Sequence, residues 1–251
     1  MDGLILGLDL CDGYTQLSCW GREENWTLPT AVCRQKDGGW LIGETAYATA
    51  LAGEGSVTDK LIRLVLQDGS DTIYGVKYRA VDLLKCFLEQ VFSLPLEEGK
   101  TVDGSMVKEL VITVPKMKAR LMDGLMYCAD QLKIPRSHVH VISHTEAFMY
   151  FVLSQTRDVW SNHVGLFDLS EKCLCYYEMK VQKNMGQVTA VAEREKLEEG
   201  FALDILSAPQ GVKLADKILC SCGERLLEKK LFSSVFLTGK GFETQQWAGE
   251  F

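Results

Sequence analysis

The amino-acid sequence predicts an α/β protein built from two similar halves, each a mixed sheet with helices on its faces. Three observations carry that expectation: short apolar strands open the chain in hairpin order, strand and helix patterns then alternate, and the opening order begins again near residue 164. Antiparallel strands that lead into strand–helix–strand units make a mixed sheet, because a parallel neighbour is reached only through a crossover.

The elements follow in order. Leu4–Leu10 is a short apolar run, Asp12-Gly13 favours a tight turn, and residues 16–20 alternate into a second run, so a β-hairpin opens the chain. A third strand is expected at 26–33. A short strand at 40–42 follows the Lys36-Asp37-Gly38-Gly39 turn, and an alanine-rich helix starts over 44–51. The pattern is then weak as far as Tyr78. From Arg79 onward, Val81, Leu84, Leu88 and Val91 share one helical face, and Pro95 ends the segment. The strand at 109–114 stops at Pro115, and Met117, Leu121, Leu125, Cys128 and Leu132 mark an amphipathic helix that stops at Pro135. A strand at 139–142 and a mostly apolar helix at 146–155 complete the first half. Strands at 164–169, 173–181 and 187–195 restart the plan. Helical segments at 201–206 and 213–227 come next, and a strand at 234–237 is closed by Thr238-Gly239-Lys240-Gly241. The halves are set at 1–160 and 161–251, and two such halves facing one another would create a cleft, where a ligand site is expected.

Composition narrows the function classes. A chain of 251 residues buries roughly 70% of its unfolded surface, and 47% hydrophobic with 24% charged residues are ordinary globular values. The net charge is -7 and no basic run exceeds two or three residues, which argues against nucleic acid and acidic membrane surfaces as partners. No apolar stretch approaches the roughly 20 residues that span a bilayer, and the N-terminus lacks the basic region of a signal peptide, so a soluble, cytoplasmic protein is expected. The nine cysteines are scattered through apolar patterns, as small core residues are. The pairs Cys173/Cys175 and Cys220/Cys222 are more closely spaced than the Cys-x2-4-Cys that usually opens a zinc site.

Two segments carry candidate chemistry. In Gly7-Leu8-Asp9-Leu10-Cys11-Asp12-Gly13-Tyr14 a strand ends in a carboxylate and enters a hairpin whose amides can face an anion. Gly165-Leu166-Phe167-Asp168-Leu169-Ser170 repeats the arrangement. Two carboxylates so placed suit a hydrated Mg2+ on phosphates. A single Asp at a strand end is more simply a turn former, but a matched pair weighs towards a site.

Further segments join these: Pro29-Thr30-Ala31-Val32, Leu41-Ile42-Gly43-Glu44-Thr45-Ala46, Leu110-Val111-Ile112-Thr113-Val114-Pro115 and Val235-Phe236-Leu237-Thr238-Gly239-Lys240-Gly241. Taken together, and in this order, they resemble the nucleotide-binding domain of the seventy-kilodalton heat-shock chaperones, in the superfamily shared by actins and sugar kinases. The resemblance covers nearly the whole chain. It implies an actin-like ATPase fold with two RNase-H-like lobes, mixed five-stranded sheets and, at this length, reduced outer subdomains. It implies ATP or ADP with Mg2+ as cofactor, and Asp9 and Asp168 as catalytic carboxylates that reach the metal through water. Cys11, Asp12, Gly13 and Tyr14 then fall on the first phosphate turn, Ser170 and Lys172 on the second, and Gly239, Lys240 and Gly241 on the adenosine turn. Lys60 stands where the chaperones carry a catalytic lysine, though an ordinary surface lysine is the plainer reading.

The departures from the pattern bear on activity. Cys11-Asp12-Gly13 replaces Gly-Thr-Thr, and Ser170-Glu171-Lys172 replaces the glycines that let backbone amides approach the phosphates. His144-Thr145 stands where the family has Glu-Pro, and Glu146 is two residues on, turned about 200° away on a helix. His144 itself is read as a hydrogen-bonded structural residue. Two functions remain open. One is a slow ATP-driven switch acting on a protein partner; the other is a non-catalytic scaffold that has lost ATP binding, since folds outlast their sites. Because the sequence ends at Phe251, shortly after the adenosine turn, self-association through uncovered apolar surface is a further expectation.

Overall fold

Alternation along β1 (Leu4–Leu10) points Leu6, Leu8 and Leu10 to one face, where all three are buried, and leaves Gly7 and Asp9 on the other. In the computed structural model this strand is central to a five-stranded sheet, the largest of four among the described residues. The structure describes residues 3–97, 99–170, 173–184, 187–199 and 230–239, with scattered positions between 213 and 228. No helix among the described residues is long and apolar enough to cross a membrane.

The chain divides into two compact units, Met1–His144 and Thr145–Phe251. In the first, β1 pairs antiparallel with β2 (Tyr14–Cys19), which pairs antiparallel with β3 (Asn25–Pro29). On its other side β1 runs parallel to β9 (Val107–Val114), and β9 parallel to β10 (Val139–Ser143), giving the order β10-β9-β1-β2-β3. The strand expected at 26–33 is therefore two strands. Thr30 interrupts it, its amide held by the Gly13 carbonyl at 2.9 Å, and β4 (Ala31–Gln35) leaves for a second sheet with β5 (Trp40–Ile42) and β6 (Gly55–Asp59).

Between these strands lie α1 (Gly43–Leu51), α2 (Leu61–Leu66), the β7–β8 hairpin (Ser70–Ile73 and Val76–Arg79) and α3 (Ala80–Val91). α4 (Ala119–Gln131) joins β9 to β10 as the crossover that parallel pairing requires. The core lies between the sheet face of Leu6, Leu8, Leu110 and Ile112 and the helix faces of Leu84, Leu88, Leu121 and Leu125. At about 25 cal/mol per Å2 of apolar surface, each such side chain adds about 2 kcal/mol of burial, which outweighs the helix propensity of any single position.

The second unit opens with α5 (His144–Ser154), so the division falls earlier than the 160/161 boundary set on sequence. The reason is packing: Phe148 and Val152 of α5 are buried against Val164, Cys175, Tyr177 and Met179 of the four-stranded sheet of the second unit. That sheet has the order β13-β12-β11-β14, from β11 (His163–Ser170), β12 (Cys173–Asn184), β13 (Gln187–Glu199) and β14 (Phe232–Thr238). It has four strands among the described residues, where five were expected. The helix expected at 201–206 lies outside the described residues.

Directions and registers repeat between the two sheets. Asp9 lies opposite Gln16 on one side and Thr113 on the other; Asp168 lies opposite Cys175 and Thr238. Asp9 to Asp168 and Gln16 to Cys175 are the same step of 159 residues, while Thr113 to Thr238 is a step of 125. Even the register irregularity recurs, between Leu4 and Ile5 in one sheet and between His163 and Val164 in the other. The halves are thus repeats of one strand frame.

Candidate functional site

Asp9 sits one residue before the end of β1, on the face away from the core. Parallel pairing with β9 sets Thr113 beside it, and the Thr113 hydroxyl donates to Asp9 Oδ1 at 2.9 Å. β10 ends at Ser143, paired with Val114, so the next residue, His144, emerges at the same edge. His144 Nε2 lies 2.7 Å from the same oxygen, Asp9 Oδ1. The Cys11 thiol, at the start of the hairpin turn, is 3.9 Å from Asp9 Oδ1 and 3.8 Å from His144 Nε2. Oxygen, nitrogen and sulfur donors therefore converge at the end of the first sheet, all within 4.8 Å of one another.

The turn below them is built with unusual care. Cys11 N donates to the Tyr14 carbonyl at 3.2 Å, closing the loop around Asp12 and Gly13. Thr30, almost fully buried, donates to the Cys11 carbonyl at 2.7 Å, and the buried Thr15 hydroxyl lies 2.7 Å from that of Thr30. Asp12 turns outward and caps another element: its Oδ1 accepts from the Arg63 amide at 3.1 Å, and its Oδ2 lies 3.7 Å from the Arg63 guanidinium. That amide belongs to the first turn of α2, whose own N-cap, Lys60, makes no side-chain capping bond. Lys60 is exposed and left-handed (φ 54°, ψ 40°), a conformation that costs a non-glycine residue roughly 1–2 kcal/mol. The Asp12 bond brings the turn after Lys60 up against the β1–β2 hairpin, although Lys60 is not one of the converging donors.

In the second unit Asp168 occupies the place of Asp9, partly exposed between buried Phe167 and Leu169. The β11–β12 pairing runs to Ser170 opposite Cys173, leaving a two-residue connection, as Cys11 and Tyr14 leave Asp12-Gly13. Ser170 thus corresponds to Cys11. Lys172, with Glu171, lies outside the described residues, and so do Lys240 and Gly241. Gly239, directly after β14, has a φ of 94°, which glycine alone adopts without strain, so the chain turns sharply at the adenosine-turn position.

A separate buried group stands at the far end of β11. Glu178, with its side chain 9% exposed, accepts from Lys230 at 2.5 Å and Tyr176 at 3.2 Å, and lies 2.9 Å from His163 Nδ1. Burial acts most strongly on its carboxyl and raises the pKa, but the bonds from Lys230 and His163 outweigh burial and leave it below the usual range.

Two members of the first group, Thr113 and His144, were not among the residues picked from sequence as the site. Their signal lay in topology: parallel strands that end level with one another bring the residues at their ends together.

Fold and site together define the class: an α/β protein with a repeated strand frame, in which each central strand carries an aspartate next to its hairpin. A family model described as the C-terminal part of a family of unknown function (DUF5716) matches residues 13–251, and the chain belongs to that family. The match takes in Thr113, His144 and Asp168, while Asp9 and Cys11 precede it. No curated protein matches the chain.

Proposed function

We propose that this protein is a divergent member of the actin-like ATPase superfamily, nearest to the heat-shock chaperone branch, that acts as a slow nucleotide-dependent switch on a protein partner. The observation that supports this best is the repeated register of Asp9 and Asp168, one and two residues before the ends of their central strands and each flanked on its parallel neighbour by a threonine. In that superfamily the repeated frame is the RNase-H-like lobe, and the two aspartates hold Mg2+ through water.

The donors suit the group in part. The Thr113, His144 and Cys11 contacts to Asp9 all land on Oδ1 and the side chain remains 46% exposed, which leaves the other oxygen room for a metal-bound water. When bound, Mg2+ would neutralise phosphate charge. The Cys11–Tyr14 and Ser170–Cys173 turns would meet phosphates, and Gly239 would allow a base or ribose to approach the backbone. Lys60 would supply a cation.

Turnover is the weak part. His144 stands where the family's water-positioning acid stands, and it spends its Nε2 on Asp9. A well-placed general base is worth roughly 10²- to 10⁴-fold, so hydrolysis should be slower by that order. The test is calorimetry with ATP and ADP, with and without Mg2+, followed by turnover of wild type and His144→Glu. Nucleotide-dependent heat that requires Asp9 and Asp168, with faster turnover in His144→Glu, supports the switch. The Asp9–His144 bond also favours the second reading, a scaffold that has lost ATP, and absence of any heat selects it.

A further inference from the structure

The convergence of Cys11, Asp9 and His144 has a chemical meaning of its own. In a hydrolytic or thiol-based triad the carboxylate and the nucleophile occupy opposite nitrogens of the imidazole, one orienting it and one giving it a proton. Here both Asp9 Oδ1 and Cys11 Sγ approach the same nitrogen, Nε2, at 2.7 and 3.8 Å. Such an arrangement relays nothing. Three donors aimed at one point are instead what a metal ion organises.

The distances can be compared with that demand. Tetrahedral zinc, with bonds of about 2.0 to 2.3 Å, sets sulfur–nitrogen and sulfur–oxygen separations of about 3.6 Å and a nitrogen–oxygen separation of about 3.3 Å. The two sulfur separations, 3.8 and 3.9 Å, are already close to this. The nitrogen–oxygen pair at 2.7 Å is held together by a proton, and a metal replacing that proton would widen the pair by about 0.6 Å. One thiolate, one carboxylate and one neutral imidazole carry two negative charges, which match a divalent ion. The thiolate and imidazole select against Mg2+ and in favour of zinc or cobalt. The Thr113 hydroxyl holds the carboxylate from outside, as second partners of metal ligands do.

Exposure tells which side is open. Cys11 is 8% exposed and the His144 side chain 17%, whereas the Asp9 side chain is 46% exposed. A fourth ligand would therefore come from solvent, past Asp9.

We infer that Asp9, Cys11 and His144 form a three-ligand site for a divalent transition metal of the zinc type, with a water or an exogenous ligand in the fourth position. The inference stands on the first unit alone and does not depend on nucleotide binding.

The experiment titrates the full chain, freed of metal by a chelator and without nucleotide, with Co2+ followed by absorbance. One equivalent should bind, with a thiolate-to-cobalt charge-transfer band in the near ultraviolet and visible bands of four-coordinate intensity, and Zn2+ should abolish both. Cys11→Ser should remove the charge-transfer band, and His144→Gln should abolish stoichiometric binding; circular dichroism on both checks the fold. Thr113→Val should weaken binding about 10- to 100-fold, as loss of a supporting hydrogen bond does. Cys220→Ser, which alters an exposed cysteine, should change nothing. Absence of stoichiometric binding by the folded wild type overturns the site. So does a charge-transfer band that persists in Cys11→Ser, or, if that variant does not fold, unchanged binding in His144→Gln. ATP calorimetry on the same preparation reports on the switch separately.

Discussion

Replacing Thr30 by valine tests how the hairpin turn is held. The side chains are nearly the same shape, so little packing is lost; what disappears is a hydroxyl that donates to the Cys11 carbonyl at 2.7 Å and lies 2.7 Å from Thr15 Oγ1. Thr15 and Thr30 are 0% and 1% exposed, which leaves water little access to the abandoned groups. A buried polar group deprived of its partner costs about 1–3 kcal/mol, so losing a donor at Cys11 and a partner at Thr15 should destabilise the protein by about 2–4 kcal/mol. Thr15→Val alone removes one bond and should cost about 1 kcal/mol. The double variant is the sharper measurement. With Thr15 also apolar, only the Cys11 carbonyl remains short of a donor, so Thr15→Val/Thr30→Val should be more stable than Thr30→Val by about 1 kcal/mol. Urea unfolding reads all four proteins through the shift in midpoint at constant slope. A Thr30→Val loss below about 0.5 kcal/mol, or simple addition of the two single losses, would refute the account.

Other expectations follow from the same structure. Glu178 has a depressed carboxyl pKa in the folded state, so its ion pairs stabilise the protein above the ordinary value of 4.5 and that stability is lost as the pH falls below it. Glu178→Gln should therefore cost about 1–2 kcal/mol at neutral pH, with the difference fading in acid, as pH-dependent unfolding will show. Lys60→Gly should raise stability by about 1 kcal/mol by relieving the left-handed backbone, and should weaken any ATP binding; a gain in both would remove Lys60 from the site. Gly104→Ala would place a Cβ on the Lys133 carbonyl and the Leu132 oxygen, backbone that cannot swing aside, and should cost about 3 kcal/mol in thermal or urea unfolding. Wild-type protein should bind ATP weakly, about a thousandfold below a chaperone if some 4 kcal/mol of phosphate contacts are missing; copurifying nucleotide would contradict this.

Much of the strand frame could be read from sequence because apolar alternation and turn residues are local. Leu4–Leu10, Trp40–Ile42 and the strand and helix of 109–132 fell within a few residues of their places. The break at Thr30 could not be read that way, since it depends on the Gly13 carbonyl and the Cys11 carbonyl, partners some 17 to 19 residues earlier. Likewise, Asp9 and Cys11 stood out as neighbours in one motif, whereas His144 joins them from 135 residues away through the levelling of three strands. The long weak stretch before Tyr78 was illegible for another reason: β6, α2, β7 and β8 are four to six residues each, too short for either period to repeat.

The repeated register also bears on how such a chain can change over generations. Side chains alternate faces along a strand, so an insertion of one residue within either hairpin would turn its aspartate towards the core. The hairpins have kept one step of 159 residues across the two halves, while the third strands are offset by 169, from Thr27 to Lys196, and the parallel neighbours by 125, which is 34 fewer than the hairpins. Length is thus held within the hairpin that carries each aspartate and differs most in the connection from it to its parallel neighbour. That connection is where relatives of this chain should vary most in size, and where a foreign segment could be spliced in with the aspartates left in place.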